Sequence, residues 1–115
     1  MRVLFWGTPA FAVPALRALG EEGHEIVAVV TQPDKPSGRG LSTGMSAVKE
    51  AAISEMSPVL QAANPYGDDF AASVRELEPD LSVVVAYGQI LKPQVLALPL
   101  LGSVNIHASL LPELR

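Results

Sequence analysis

The sequence contains no cysteine. That absence removes disulfides, thiolate nucleophiles and cysteine-based zinc sites together, and it suits a reducing compartment. No apolar run approaches the ~20 residues that a membrane-crossing helix needs. The opening Met1-Arg2-Val3-Leu4-Phe5-Trp6 has the charge and apolar character of a signal-peptide start. Its run stops at Gly7-Thr8-Pro9, too early for that role. A soluble, cytoplasmic chain without membrane association is therefore expected. Positive charge is also scarce: 8 Lys and Arg stand against 12 Asp and Glu, for a net charge of -4. Nucleic-acid affinity rests on neutralising phosphates, and a self-sufficient binder carries a basic excess. This segment alone is expected to bind RNA weakly or not at all. Its His, Asp and Glu residues nowhere take metal-ligand spacing, so no metal is expected.

What is present suits one folded domain. The chain has 115 residues, of which 49% are hydrophobic and 17% charged, a balance that buries a core and excludes disorder. Its 10 prolines and 9 glycines fall between the apolar runs, where they mark turns.

Arg2–Trp6 reads as a buried strand. Pro9–Leu19 reads as a helix with Phe11, Leu16 and Leu19 at helical spacing, Pro14 lying early enough to be tolerated, and Gly20 and Gly23 ending it. Glu25–Thr31 is a β-rich run. Strand, helix and strand within about 30 residues make a βαβ unit, hence a parallel sheet with a right-handed crossover. Residues 32–44 are turn formers throughout, and loops longer than ~12 residues are usually functional. Ser46–Met56 reads as a helix, Pro58–Leu60 as a short strand and Asp68–Leu77 as a helix with Phe70, Val74 and Leu77 on one face. Leu81–Tyr87 is the strongest strand, broken by Gly88; Pro93–Ala97 is a short helix and Leu101–His107 a fifth strand. The alternation predicts a doubly wound, mainly parallel α/β sheet of Rossmann-like type. In such sheets ligands gather at the carboxyl ends of the strands. Gly7-Thr8-Pro9, the 32–44 loop, Tyr87-Gly88 and Asn105/His107 all fall there.

Asn105 and His107 stand two apart on a strand, so their side chains share a face. A carboxamide N–H₂ can donate to a developing oxyanion. An imidazole can shuttle a proton near neutral pH. Spacing alone leaves two readings open: an acyl-transfer pair, or a loop-satisfying asparagine beside a packed histidine. Gly7 stands alone rather than in G-x-G-x-x-G, and Pro9 removes an amide, so a dinucleotide site is disfavoured. His24 reads as an exposed turn residue. Ser109 lacks a nucleophile-elbow context and reads as a loop-organising hydroxyl.

The stretch Val104-Asn105-Ile106-His107-Ala108-Ser109-Leu110-Leu111-Pro112 resembles the N-x-H-x-S-L-L-P signature of folate-dependent formyltransferases. Phe5-Trp6-Gly7-Thr8-Pro9 with Phe11, Thr31-Gln32-Pro33-Asp34-Lys35-Pro36 with Gly38-Arg39-Gly40, and Val83-Val84-Val85-Ala86-Tyr87-Gly88 resemble the methionyl-tRNA formyltransferases in particular. These matches run in the family's order over essentially the whole chain. The resemblance implies transfer of a formyl group from 10-formyltetrahydrofolate, a donor substrate, to the amino group of initiator methionyl-tRNA for translation initiation. It gives Asn105 the role of polarising the formyl oxygen. His107 would support the same oxyanion and assist proton transfer. Val85, Ala86, Tyr87, Gly88, Ile90 and Leu91, with Ser109, Leu110, Leu111 and Pro112, would line the folate site. The 32–44 loop, through Lys35 and Arg39, would contact tRNA. It departs from the family in following Gly40 with Leu41-Ser42-Thr43 rather than further basic residues.

The resemblance also implies that residues 1–115 are the N-terminal part of the catalytic domain. The family's third catalytic group, a downstream aspartate, and its C-terminal tRNA-binding domain have no counterpart in this sequence. The expected sheet is thus incomplete at its C-terminal end. A non-catalytic folate-binding or inert Rossmann-like fragment is the alternative reading.

Overall fold

A computed structural model describes residues 1–35 and 44–106. Among them are the strands β1 (Arg2–Gly7), β2 (Glu25–Thr31), β3 (Val59–Gln61), β4 (Leu81–Val85) and β5 (Ser103–Asn105). The helices are α1 (Val13–Glu21), α2 (Ala47–Ser54), α3 (Asp68–Leu77) and α4 (Pro93–Leu96), with a 3₁₀ turn at Ala10–Ala12. The strands form one parallel sheet in the order β3-β2-β1-β4-β5. β1 lies in the middle because its run Val3–Gly7 is buried on both faces.

Helices cover both faces. Val3, Phe5, Val29, Val83 and Val85 pack against Leu16 of α1 and Val48, Ala51 and Ala52 of α2. Leu4, Trp6, Ala28, Val30 and Val84 pack against Phe70 and Val74 of α3 and Val95 of α4. This is the doubly wound, Rossmann-like arrangement. An irregularity between Val3 and Leu4 in the β1–β2 register gives β2 one extra residue. Val27 and Ala28 consequently both enter the α3/α4 core, where strict alternation would send them to opposite faces.

The helix boundaries follow local chemistry. Ser46 accepts the Lys49 amide at 3.0 Å and so caps α2. Pro14 falls within the first two positions of α1, where its missing N–H is harmless. Gly20 does not end α1 but lies inside it; the reversal comes at Gly23, whose φ is 91°. Pro9 begins a 3₁₀ turn rather than an α-helix, and its carbonyl accepts the Ala12 amide at 3.0 Å. At the amino rim the Arg2 guanidinium donates to the Glu78 carbonyl at 3.1 Å and to that of Leu77, closing the end of α3. His24 is half-buried rather than exposed, and among the described residues its Nδ1 has no partner. The edge strand β5 leaves Val104 45% exposed.

Leu16 is the main bridge from α1 into its core and is 1% exposed. Leu16→Ala should lower the unfolding free energy by about 2–5 kcal/mol. Urea denaturation would measure it, and a loss under ~1 kcal/mol would contradict this packing.

Candidate active site on the carboxyl rim

The rim is shaped by one kink. In a regular strand Val85 and Tyr87 would share a face. Instead Val85 enters the α1/α2 core and Tyr87 the α3/α4 core. The cause lies between them: Ala86 has φ 51°, so the strand ends at Val85, two residues before the expected limit. A left-handed non-glycine residue costs roughly 1–2 kcal/mol. The Tyr87 ring offsets that cost by packing edge-on against Trp6, 5.0 Å between centroids. Burial, then the neighbouring Tyr66, raises the Tyr87 phenol above its ordinary 10.0, so it stays neutral.

The Tyr87 carbonyl is held by two distant residues. Thr8 Oγ1 donates to it at 2.7 Å and Gln32 Nε2 at 3.3 Å. The ends of β1, β2 and β4 therefore converge, as the sequence pattern predicts. Beyond the kink, Gly88 has φ 106° and is exposed, Ile90 is 90% exposed and Leu91 is half-buried. Val85 and Tyr87 are themselves buried, their side chains in the two cores.

The start of the 32–44 loop is tied on three sides. Gln61 Nε2 donates to the Gln32 carbonyl at 3.1 Å and to Asp34 Oδ1 at 2.8 Å. Lys49 pairs with Asp34 at 2.9 Å. The Lys35 amide donates to the Gly44 carbonyl at 3.0 Å, joining the two ends of the loop. Gly44 has φ 80°, and a Cβ there would sit 1.9 Å from the Lys35 carbonyl oxygen. Thr8, Gln32, Pro33, Lys35, Gly44, Met45 and Ser46 enclose a cavity of about 180 Å³ beside this neck. A more open groove of about 520 Å³ lies further along the rim, between β3 and the start of α3.

Asn105 ends β5 and is exposed. It pairs in register with Val84, which pairs with Trp6, so the three form a row across one sheet face. Asn105 thus opens onto the same face as Tyr87 and lines neither cavity. Lys35 is exposed. His107, Ser109, Leu110, Leu111, Pro112 and Arg39 lie outside the described residues. Among the described residues no group of His, Asp and Glu could hold a metal ion, and no helix is long and apolar enough to cross a membrane.

The sequence model of the formyl transferase family matches residues 1–115. The chain belongs to that family. This formyl transferase chain is 52% identical to the methionyl-tRNA formyltransferase of Acetivibrio thermocellus, 50% to that of Clostridioides difficile and 55% to that of Methylococcus capsulatus. Each match covers 100% of the chain but 37% of the relative, so the chain spans little more than a third of their length. Among solved structures it resembles a glycinamide ribonucleotide transformylase from Geobacillus kaustophilus, with a TM-score of 0.67 at 19% identity over 99% of the chain and 61% of that protein. The enzyme of the same description from Symbiobacterium toebii gives a TM-score of 0.66, at 19% identity over 97% of the chain and 53% of that protein. These likenesses carry the fold.

Gln32 was missed as a rim-organising residue in the formyl transferase sequence. It stood in a turn-rich stretch, and its partners are far away in the chain. Two outcomes follow from the loop neck. The Gln61 hydrogen bond, then Lys49, holds the Asp34 carboxyl below its ordinary 3.8. A lowered folded value means that this tether contributes fully above about pH 3.8 and fades as pH falls through the lowered value. NMR titration of Asp34 should give a midpoint below 3.8 that rises in Gln61→Ala; a wild-type midpoint at or above 3.8 would refute the arrangement. Separately, Gly44→Ala should break the Lys35–Gly44 hydrogen bond, seen as lost protection of the Lys35 amide with the sheet amides unchanged. Retained protection would show that the neck accommodates a side chain.

Proposed function

We propose that this chain forms the donor-side half of the active site of a methionyl-tRNA formyltransferase. The reaction moves a formyl group from 10-formyltetrahydrofolate to the amino group of initiator methionyl-tRNA. The observation that carries the reading is Asn105, exposed at the carboxyl end of β5 on the sheet face that also receives Tyr87. The family membership and the methionyl-tRNA formyltransferase relatives support it.

In this reading the substrate amine attacks the formyl carbon, and the carbonyl oxygen becomes an oxyanion. The Asn105 carboxamide donates to that oxygen. His107 supports the same oxyanion and assists proton transfer. The bond between the formyl carbon and N10 of the folate then breaks. The amine loses a proton and N10 gains one, so the step balances without metal or redox chemistry. The segment Val85-Ala86-Tyr87-Gly88, with the apolar Ile90 and Leu91, lines the folate pocket together with Ser109, Leu110, Leu111 and Pro112. A flat heterocycle suits such apolar walls and main-chain polar groups. Gly88 lets the backbone approach closely. Lys35 and Arg39 place positive charge on the loop that meets tRNA phosphates. The net charge of -4 leaves most RNA affinity to other parts of the full-length protein. The substrates place the work in the cytoplasm.

The test is a formylation assay on the full-length protein. Asn105→Ala should reduce kcat by about 10²–10³-fold. His107→Ala should reduce it by about 10²–10⁴-fold. A wild-type rate in Asn105→Ala would end the proposal. Reduced-folate binding without turnover in the wild-type protein would leave a binding module instead.

A further inference from the structure

Gln32 uses every polar group it has. Its Nε2 donates to the Tyr87 carbonyl at 3.3 Å, and its Oε1 accepts from Gln89 Nε2 at 3.5 Å. Its main-chain N–H points to Thr8 Oγ1 at 3.4 Å, and its carbonyl accepts from Gln61 at 3.1 Å. These partners lie 24 to 57 residues away in sequence. The side-chain stem also meets the turn directly, since a Cβ at Gly88 would sit 3.4 Å from Gln32 Cγ.

The turn needs such restraint. Ala86 occupies a left-handed conformation that its side chain disfavours, and Gly88 follows with φ 106°. Conformations of that kind persist only where the surroundings over-determine them. Asp34 and Lys35 follow Gln32 in the chain, so the same residue sits where the base of the loop meets the turn.

We propose that Gln32 is a positioning residue for the formyl-donor pocket. Its carboxamide holds the Tyr87–Gln89 turn in the geometry that receives the donor, while its main chain roots the loop on β3. That the pocket takes a formyl donor rests on the functional reading above; the holding of the turn does not. A carboxamide is required because one end must donate and the other accept. A glutamate has the same shape but would set a carboxylate against the Tyr87 carbonyl.

The experiment compares wild type, Gln32→Glu and Gln32→Leu in the full-length protein. Initial rates with 10-formyltetrahydrofolate and methionyl-tRNA are read beside hydrogen exchange of the 86–91 segment. In Gln32→Glu the donor KM should rise about tenfold with kcat within about threefold, since the residue positions rather than reacts. Exchange at 86–91 should quicken while β1 and β4 keep their protection. A residue that is merely structural would instead lower the Tm and quicken exchange throughout, and that result overturns the proposal. So does an unchanged donor KM with unchanged exchange. If the wild-type protein transfers no formyl group, the functional reading fails, and exchange at 86–91 alone decides whether Gln32 holds the turn. Should both Gln32 variants fail to fold, Gln89→Ala at its exposed position provides the second handle. It should raise the donor KM about two- to threefold with faster exchange at 86–91, and no change in either would refute the role.

Discussion

Everything on the rim is referenced to β1. That strand is hydrogen-bonded to β2 on one side and β4 on the other, and both its faces are buried. A parallel strand in this position has no solvent to absorb a change in register. Its last residue, Gly7, is enclosed as tightly: a Cβ would lie 2.9 Å from the Phe5 ring and 3.0 Å from the Val85 carbonyl. The chain leaves the sheet there at one height, and Thr8 is the first residue able to reach sideways. Its hydroxyl meets the Tyr87 carbonyl because β1 and β4 end at the same level, Gly7 opposite Val85.

Two cores of different character follow from that placement. The α1/α2 side is built from small and branched side chains around the single ring of Phe5, with Ala12, Ala51 and Ala52 letting the helices approach the sheet closely. The α3/α4 side holds the large aromatics Trp6, Phe70 and Tyr87. Trp6 lies in the α3/α4 core and donates from Nε1 to the buried Ser82 hydroxyl at 3.1 Å, satisfying two polar groups at once. The aromatic core reaches the rim through Tyr87, so the packing of the interior and the shape of the site share a residue.

The elements were legible where the signal was local. β2 and α3 have the limits read from the apolar run at Glu25–Thr31 and from the spacing of Phe70, Val74 and Leu77. The start of α2 was likewise legible, since the helix was read from Ser46, the residue whose hydroxyl caps it. What escaped was set by distant partners. Ala86 has no sequence feature that predicts a left-handed backbone; the conformation arises from the demand of Tyr87 for the core around Trp6. The extra residue in β2 and the half-burial of His24 are tertiary in the same sense. The carboxyl rim was legible from the alternation of strands and helices, and Asn105 lies there at the end of β5. The role of Gln32 was hidden because a glutamine between Thr31 and Pro33 looks like any loop residue.

The sequence has one tryptophan, and it is fully buried beside the Tyr87 ring. Indole emission is sensitive to what lies against it, and Tyr87 is fastened by its carbonyl to Thr8 and Gln32. Trp6 therefore serves this segment as an intrinsic optical gauge. A ligand that tugs on the turn has a route to the fluorophore through a single side chain, without any label.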